Sequence, residues 1–182
     1  MKKLTTITLF VLLSSWAVAQ VPQVLFYGYI EEGVFENPND TKKKKKEKTP
    51  DKLRGVKVFV YEGDSLMHTV AARETGFYAV LLDAGRKYRV TFEKEGYFCK
   101  CFELDCREVE YPDTDAAMKC LTDVSLFKKV EDDDLLSLCK IPYAKCIYSE
   151  ATGDMAWDLE YTERAKQKFY ELAEPYYMAQ GK

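Results

Sequence analysis

Apolar side chains occupy alternate positions in several short segments of the chain. A period of two is typical of a β-strand with one buried face, and Gly-containing turns separate these segments at intervals of about ten residues. The pattern therefore predicts a mainly β fold, a β-sandwich, and no alternation of strands with helices. The apolar members of the two clearest segments are Val56, Val58 and Val60 in one, and Tyr88, Val90 and Phe92 in the other.

Five further segments complete a prediction of seven strands. They are rich in β-branched and aromatic residues and are bounded by polar turns, as strands usually are. The apolar run at 77–82 has no polar interruption, which predicts a strand that is buried on both faces. The five segments are residues 24–30, 66–72, 77–82, 97–104 and 118–127.

The pattern changes in the last third of the chain. Residues 142–157 predict a hairpin that turns at 151–154, and residues 158–174 follow the helical period. Asp158 can cap the start of this helix, and Pro175 is expected to end it. A short helix needs tertiary contacts or a partner to be stable, and we expect its apolar face to pack on the hairpin. That face comprises Tyr161, Ala165, Phe169 and Leu172.

Tyrosines cluster on and after this helix, and they are candidate contacts with a protein partner because Tyr is frequent at binding hot spots. Tyrosine is also an ordinary core residue of β-sandwiches, so the pattern supports docking only weakly. The candidates are Tyr170, Tyr176 and Tyr177.

Residues 31–54 are polar, contain Pro38 and Pro50, and show no apolar period, so they predict a solvated loop. A run of lysines lies within it. The favoured interpretation is a loop that keeps the protein soluble, and the alternative is contact with a polyanion or an anionic membrane surface. The lysines are Lys42, Lys43, Lys44, Lys45, Lys46 and Lys48.

The N-terminus has the three parts of a secretory signal peptide. Lys2 and Lys3 precede an apolar stretch at 7–18, and residues 17–19 read Ala-Val-Ala, so cleavage before Gln20 is expected. The apolar stretch is shorter than the ~20 residues that span a bilayer, which disfavours the alternative of a retained anchor. We therefore expect an exported protein, located in the periplasm or associated with the cell surface and outer membrane.

All six cysteines follow this segment. An even number in an exported chain favours disulfides, with fifteen possible connectivities, although buried free thiols and a metal site remain alternatives. Two of them, Cys99 and Cys101, would lie on one face of a strand and should pair with other cysteines instead of each other. The candidates are Cys99, Cys101, Cys106, Cys120, Cys139 and Cys146.

Catalytic chemistry has little support in this sequence. His68 is the only histidine, it falls in a predicted strand, and no serine lies in a G-x-S-x-G motif. The acidic run 131–134 lacks the spacing of a calcium loop and fits the start of a short helix, where a negative charge is favourable. A net charge of −3 gives no case for nucleic-acid binding. We expect neither an enzyme, nor a cofactor, nor a bound metal.

Three segments resemble the carboxypeptidase regulatory-like domain. They are GVKVFV at 55–60, ETGFY at 74–78 and LDAGRKYRVTFEKEGY at 82–97. The resemblance spans about residues 24–126, and it implies a seven-stranded transthyretin-like, Ig-like sandwich that is common in exported proteins of the Bacteroidetes. The family is a non-catalytic module and brings no catalytic residues with it. Residues 142–162 also resemble the tails of uncharacterised envelope proteins of the Bacteroidetes, and the cysteines of this chain are a departure from that pattern.

The expected organisation is a signal peptide at 1–19, a sandwich at 20–127, and a hairpin and helix appendage at 128–182. The expected function is that of a non-enzymatic envelope module that binds another protein, as an accessory component of a cell-envelope assembly. A carbohydrate- or peptidoglycan-binding module is the alternative, because tyrosines on a sandwich face can stack on sugars.

Overall fold

A computed structural model describes residues 22–33, 50–109, 117–129 and 141–180, with the side chains of 175–180 left out. These residues form ten strands and one helix, so the prediction of a mainly β fold with a C-terminal helix is confirmed. The prediction of a seven-stranded sandwich is wrong, because residues 118–127 form two short strands and the two strands of the predicted hairpin join the larger sheet. The elements are β1 Gln23–Glu32, β2 Lys57–Glu62, β3 Ser65–Ala71, β4 Phe77–Asp83, β5 Lys87–Glu93, β6 Lys100–Asp105, β7 Met118–Leu121, β8 Val124–Leu126, β9 Ala144–Ser149, β10 Asp154–Trp157 and α1 Leu159–Gln180.

The strands form two mixed sheets. The larger sheet has the order β10-β9-β6-β5-β2-β3, and the smaller one is built on β1, which pairs with β4 on one side and with β7 and β8 on the other. Strand β9 pairs with β6 in parallel, from Phe102 opposite Ala144 to Asp105 opposite Ile147. The β9–β10 hairpin is therefore an extension of the larger sheet.

The two sheets share one hydrophobic core. The ring of Phe92 on the larger sheet lies 4.8 Å from that of Tyr78 and 6.4 Å from that of Phe26, both on the smaller sheet. The alternating residues predicted for β2 and β5 are buried as expected. Edge-to-face contacts between aromatic rings add to the free energy gained by burying their area. The arrangement is sandwich-like.

Strand β4 differs from the prediction for residues 77–82. Tyr78, Val80 and Leu82 are buried, but Leu81 between them is 47% exposed. The reason is that the smaller sheet is one layer of a two-layer arrangement, so only one face of β4 meets the other sheet. A continuous apolar run cannot by itself distinguish these two situations.

Helix α1 begins as predicted and ends later. The Asp158 carboxylate accepts a hydrogen bond from the Tyr161 N–H at 2.8 Å, which confirms the cap. Pro175 does not end the helix, which continues to Gln180. Proline removes only one donor from the helical ladder, and a local bend can relieve its clash with the preceding turn.

The buried face of α1 also differs from the predicted one. Phe169 and Ala173 are buried, whereas Leu172 is 40% exposed and was wrongly assigned to this face. Residues three and four positions beyond Phe169 both lie near its face, and the contact surface selects position 173. The Phe169 ring lies 5.9 Å from that of Tyr143 and 5.6 Å from that of Phe127. The helix thus packs on its own domain, including the hairpin segment, as expected.

Gly28 on β1 packs tightly against the backbone of Thr122, in the turn between β7 and β8. A β-carbon at this position would overlap the carbonyl oxygen of Thr122, which also accepts a hydrogen bond from the Tyr78 hydroxyl at 2.7 Å. We expect Gly28→Ala to destabilise the protein by roughly 1–3 kcal/mol, because backbone must move to accept the methyl group. Urea unfolding measures this, and an unchanged midpoint would contradict the crowding.

Candidate functional site

A groove of about 310 Å³ lies between helix α1 and the two sheets. We call it the helix groove. Its walls combine aromatic rings with hydroxyl groups and charged side chains, a composition typical of binding sites. It is lined by Lys100, Phe102, Thr122, Asp123, Val124, Ser125, Phe127, Tyr143, Ala144, Trp157, Thr162, Lys166 and Tyr170.

Five elements bring these residues together. Strand β6 contributes Phe102, whose ring lies 6.0 Å from that of Trp157 at the end of β10 and 6.2 Å from that of Tyr143 before β9. Strand β8 contributes Val124 and Ser125, β9 contributes Ala144, and α1 contributes Thr162, Lys166 and Tyr170. Because β9 and β10 join β6 in one sheet, the rings are held on regular secondary structure.

A hydrogen bond from strand β1 holds the turn between β7 and β8 in place. The Asp123 carboxylate accepts a hydrogen bond from the Tyr29 N–H at 2.8 Å. This bond orients a side chain that lines the helix groove. Gly28 of β1 packs directly against Thr122 of the same turn, so the path of β1 determines where this side of the helix groove lies.

Lys100 is the unusual residue of the groove. Its side chain is only 5% exposed, and its Nζ lies 4.0 Å from the ring centre of Tyr143 and 4.6 Å from that of Phe127. The Phe169 ring is 5.6 Å away. Among the described residues, no carboxylate forms an ion pair with this ammonium group, so the three aromatic faces are its main electrostatic partners.

Burial lowers the pKa of Lys100 to about 7, and the charge of the neighbouring Lys166 acts in the same direction. The rings oppose this shift, since their faces favour the charged form. Near neutral pH, the charged and neutral forms of this groove-lining lysine are therefore close in free energy.

Lys100, Trp157 and Tyr143 were not among the site residues predicted from the sequence. A signal for Lys100 existed in the strand period, because it shares a face of β6 with the buried residues Phe102 and Leu104. A lysine in register with buried apolar residues is unusual. Nothing in the local sequence, however, indicated which rings would surround it.

Of the three tyrosines proposed for docking, Tyr170 lies at the helix groove. It is 38% exposed, and its ring lies 6.0 Å from that of Phe169. The side chains of Tyr176 and Tyr177 lie outside the described part of α1. The structure thus brings one predicted docking residue together with aromatic residues that the sequence did not single out.

The cysteines differ from the prediction of extensive disulfide bonding. Four of them are buried free thiols: Cys101, Cys106, Cys120 and Cys146. They lie within the apolar core, where cysteine behaves as a small hydrophobic residue. Cys99 is disulfide-bonded, and Cys139 lies outside the described residues.

Two of the free thiols are in contact. The Sγ atoms of Cys120 and Cys146 are 3.5 Å apart, and both side chains are buried. The hydrogen bond between them lowers the pKa of the Cys120 thiol, while the same hydrogen bond and then burial raise the pKa of Cys146. Burial raises the pKa of Cys106 to about 12. Among the four free thiols, the pKa of Cys120 is the one that is lowered.

The remaining candidates are dispersed or lie outside the described residues. His68 lies in the exposed edge strand β3, as predicted, and is remote in the fold from the helix groove. Within the described ranges, no group of three or more potential metal ligands is assembled, and the one described helix is not apolar enough to cross a membrane. Residues 1–21, the lysine run and the acidic run 131–134 are not described.

Comparison with known proteins shows no family for this chain. No family model and no curated protein matches the chain. A solved structure of the Bacillus anthracis TIE protein is similar at 12% identity and a TM-score of 0.40, covering 59% of this chain and 17% of that one. The match thus concerns a small part of a much longer protein.

Proposed function

We propose that this chain is a non-enzymatic envelope module that binds another protein through the helix groove, as an accessory component of a cell-envelope assembly. The observation that carries the proposal is the groove itself, an open cleft in which rings from β6, β10 and α1 converge. Protein interfaces are rich in such aromatic anchors, surrounded by polar groups that exclude water.

The charges of the groove indicate what the partner presents. Lys100, Lys166 and Asp123 all line the groove. The Asp123 carboxylate accepts a hydrogen bond from a backbone N–H, and Lys166 forms an ion pair with Glu163. Lys100 is therefore the groove cation that has no carboxylate partner among the described residues. It favours a partner segment that inserts an apolar or aromatic side chain next to an Asp or Glu.

Export and family form part of the same proposal. The N-terminal pattern supports secretion, and the resemblance at 55–97 supports a transthyretin-like sandwich of the carboxypeptidase regulatory-like type. Glycines within the resembling segments, Gly76 and Gly85, have φ angles of 75° and 80°, the left-handed conformation that glycine adopts without strain. Such modules act by binding, and the groove is where this one has a suitable surface.

A carbohydrate ligand is the second candidate. Trp157, Tyr143 and Tyr170 line the groove beside the hydroxyl groups of Ser125 and Thr162. Rings with adjacent hydroxyl groups can stack on a sugar and bind its hydroxyls. The same cleft can thus be tested with both classes of ligand.

Tyr170→Ala tests the proposal, and Leu172→Ala is its matched control. Both side chains are apolar, lie on α1 and are similarly exposed, but only Tyr170 lines the groove. We expect Tyr170→Ala to weaken binding of the co-purifying envelope protein about tenfold or more, with little change in melting temperature. Leu172→Ala should bind as the unmodified protein does.

The readout is a pulldown from solubilised envelope with the full chain, run beside a glycan array and a peptidoglycan pulldown. Loss of glycan binding in Tyr170→Ala, with no protein captured by the unmodified chain, would favour the carbohydrate alternative. Equal capture of a protein by both variants would contradict a role for the groove.

A further inference from the structure

The Cys120 and Cys146 thiols meet across the core. Cys120 belongs to β7 of the smaller sheet and Cys146 to β9 of the larger sheet, and their Sγ atoms are 3.5 Å apart. No pairing of strands joins β7 to β9, so these side chains are a contact between the sheets. Their separation along the chain is 26 residues.

A disulfide between these residues requires only a small displacement. The S–S bond is about 2.05 Å long, so the two sulfurs would approach by about 1.5 Å, a distance within reach of side-chain rotation. The neighbouring core is apolar and excludes water, which would protect such a bond from reducing thiols. The contact is thus well suited to a structural bond.

We propose that Cys120 and Cys146 form a disulfide that ties the hairpin, and with it the helix groove, to the smaller sheet. One thiolate attacks a sulfur of a disulfide oxidant, such as oxidised glutathione, and releases one reduced thiol. The second thiolate then displaces the other thiol from the mixed disulfide. Two protons and two electrons leave the cysteine pair, and one oxidant disulfide is reduced to two thiols.

The burial of both thiols determines when this happens. An oxidant cannot reach them in the folded core, so the reaction belongs to the folding chain, before the two sheets close. Oxidation during refolding should therefore be fast compared with oxidation of the reduced, folded protein.

Cys106 is the natural competitor and the matched control. It is a buried free thiol close enough to interact electrostatically with both Cys120 and Cys146. Among the four described free thiols, however, the Sγ–Sγ contact joins Cys120 to Cys146 and does not include Cys106. Replacing Cys106 should leave the proposed bond intact.

The experiment refolds the full chain in a buffer of reduced and oxidised glutathione and maps the disulfides by mass spectrometry of an unreduced digest. We expect a peptide that links Cys120 to Cys146. Its formation should raise the melting temperature by roughly 5–10 °C, from the closure of a loop of this length. Cys120→Ala and Cys146→Ala should each lack this increment, and Cys106→Ala should retain it.

Two results would overturn the proposal. One is a peptide that links Cys106 to either residue, and the other is full alkylation of Cys120 and Cys146 after refolding. The digest of the unmodified chain decides between them even where a variant fails to fold. The purified chain needs no partner in this test, so the outcome is separate from that of the binding experiment.

Discussion

Phe169→Ala should lower the free energy of unfolding by about 3–5 kcal/mol, the cost of removing a fully buried ring and leaving a cavity. Phe169 is 4% exposed and packs with Phe98, Phe127, Ala173 and Tyr143. The isolated helix would be marginal in water, so this contact holds α1 against the sheets. Urea unfolding followed by circular dichroism measures the change.

Leu172→Ala is the control for this effect. Leu172 lies on the same helix but is 40% exposed, so its truncation should cost less than about 1 kcal/mol. If the two variants unfold at the same urea concentration, α1 does not depend on its contact with the sheets, and the helix groove loses one of its walls.

Lys100→Met should stabilise the protein at neutral pH, and the gain should disappear in alkali. The folded-state pKa of Lys100 is lowered from 10.5 to about 7, so between these values the unfolded chain binds a proton that the folded chain does not. The stability of the unmodified protein consequently rises with pH in this window, by about 1.4 kcal/mol per pH unit at most.

The difference between the variant and the unmodified protein follows from this. It should be near its maximum of about 5 kcal/mol at and below pH 7, and should shrink as the pH approaches 10.5. Loss of the cation–π contacts offsets part of the gain by a constant ~2 kcal/mol wherever the lysine is charged. The comparison needs urea unfolding of both proteins at several pH values.

Lys119→Met provides the control, since Lys119 is an exposed residue of β7. Substitution of an exposed side chain should change the free energy of unfolding at pH 7 by less than about 0.5 kcal/mol. If Lys100→Met at pH 7 behaves like Lys119→Met, Lys100 is solvated in the native protein and the three rings do not enclose it.

These two predictions concern one assembly. Phe169 is one of the three rings around Lys100. The residue that anchors the helix therefore also contacts the lysine. Effects of residues in contact are generally not additive. The double variant should therefore deviate from the sum of the single effects.

The local pattern of the chain determined much of the fold. The period of two in β2 and β5 placed their buried residues correctly, because one face of a sheet must meet the core. Asp158 identified the start of α1, since a helix leaves free N–H groups there. The hairpin at 142–157 was predictable from its turn residues, and it is observed as β9 and β10.

Tertiary structure decided the rest. Leu81 is exposed and Ala173 is buried because of which neighbour each element has, and neither residue type nor spacing contains that information. Four cysteines are core thiols because apolar burial suits a thiol as well as it suits a small aliphatic side chain.

The helix groove is the clearest example of this division. Its aromatic residues come from segments that are up to about seventy residues apart, and each is an ordinary residue of a strand, a helix or the segment beside one in its own sequence context. The parallel pairing of β9 with β6 brings them together, because it places the hairpin and the following helix beside Lys100. The sequence by itself determined that strands, a hairpin and a capped helix would form. Which residues face each other across the groove was decided by long-range packing, which no local pattern specifies.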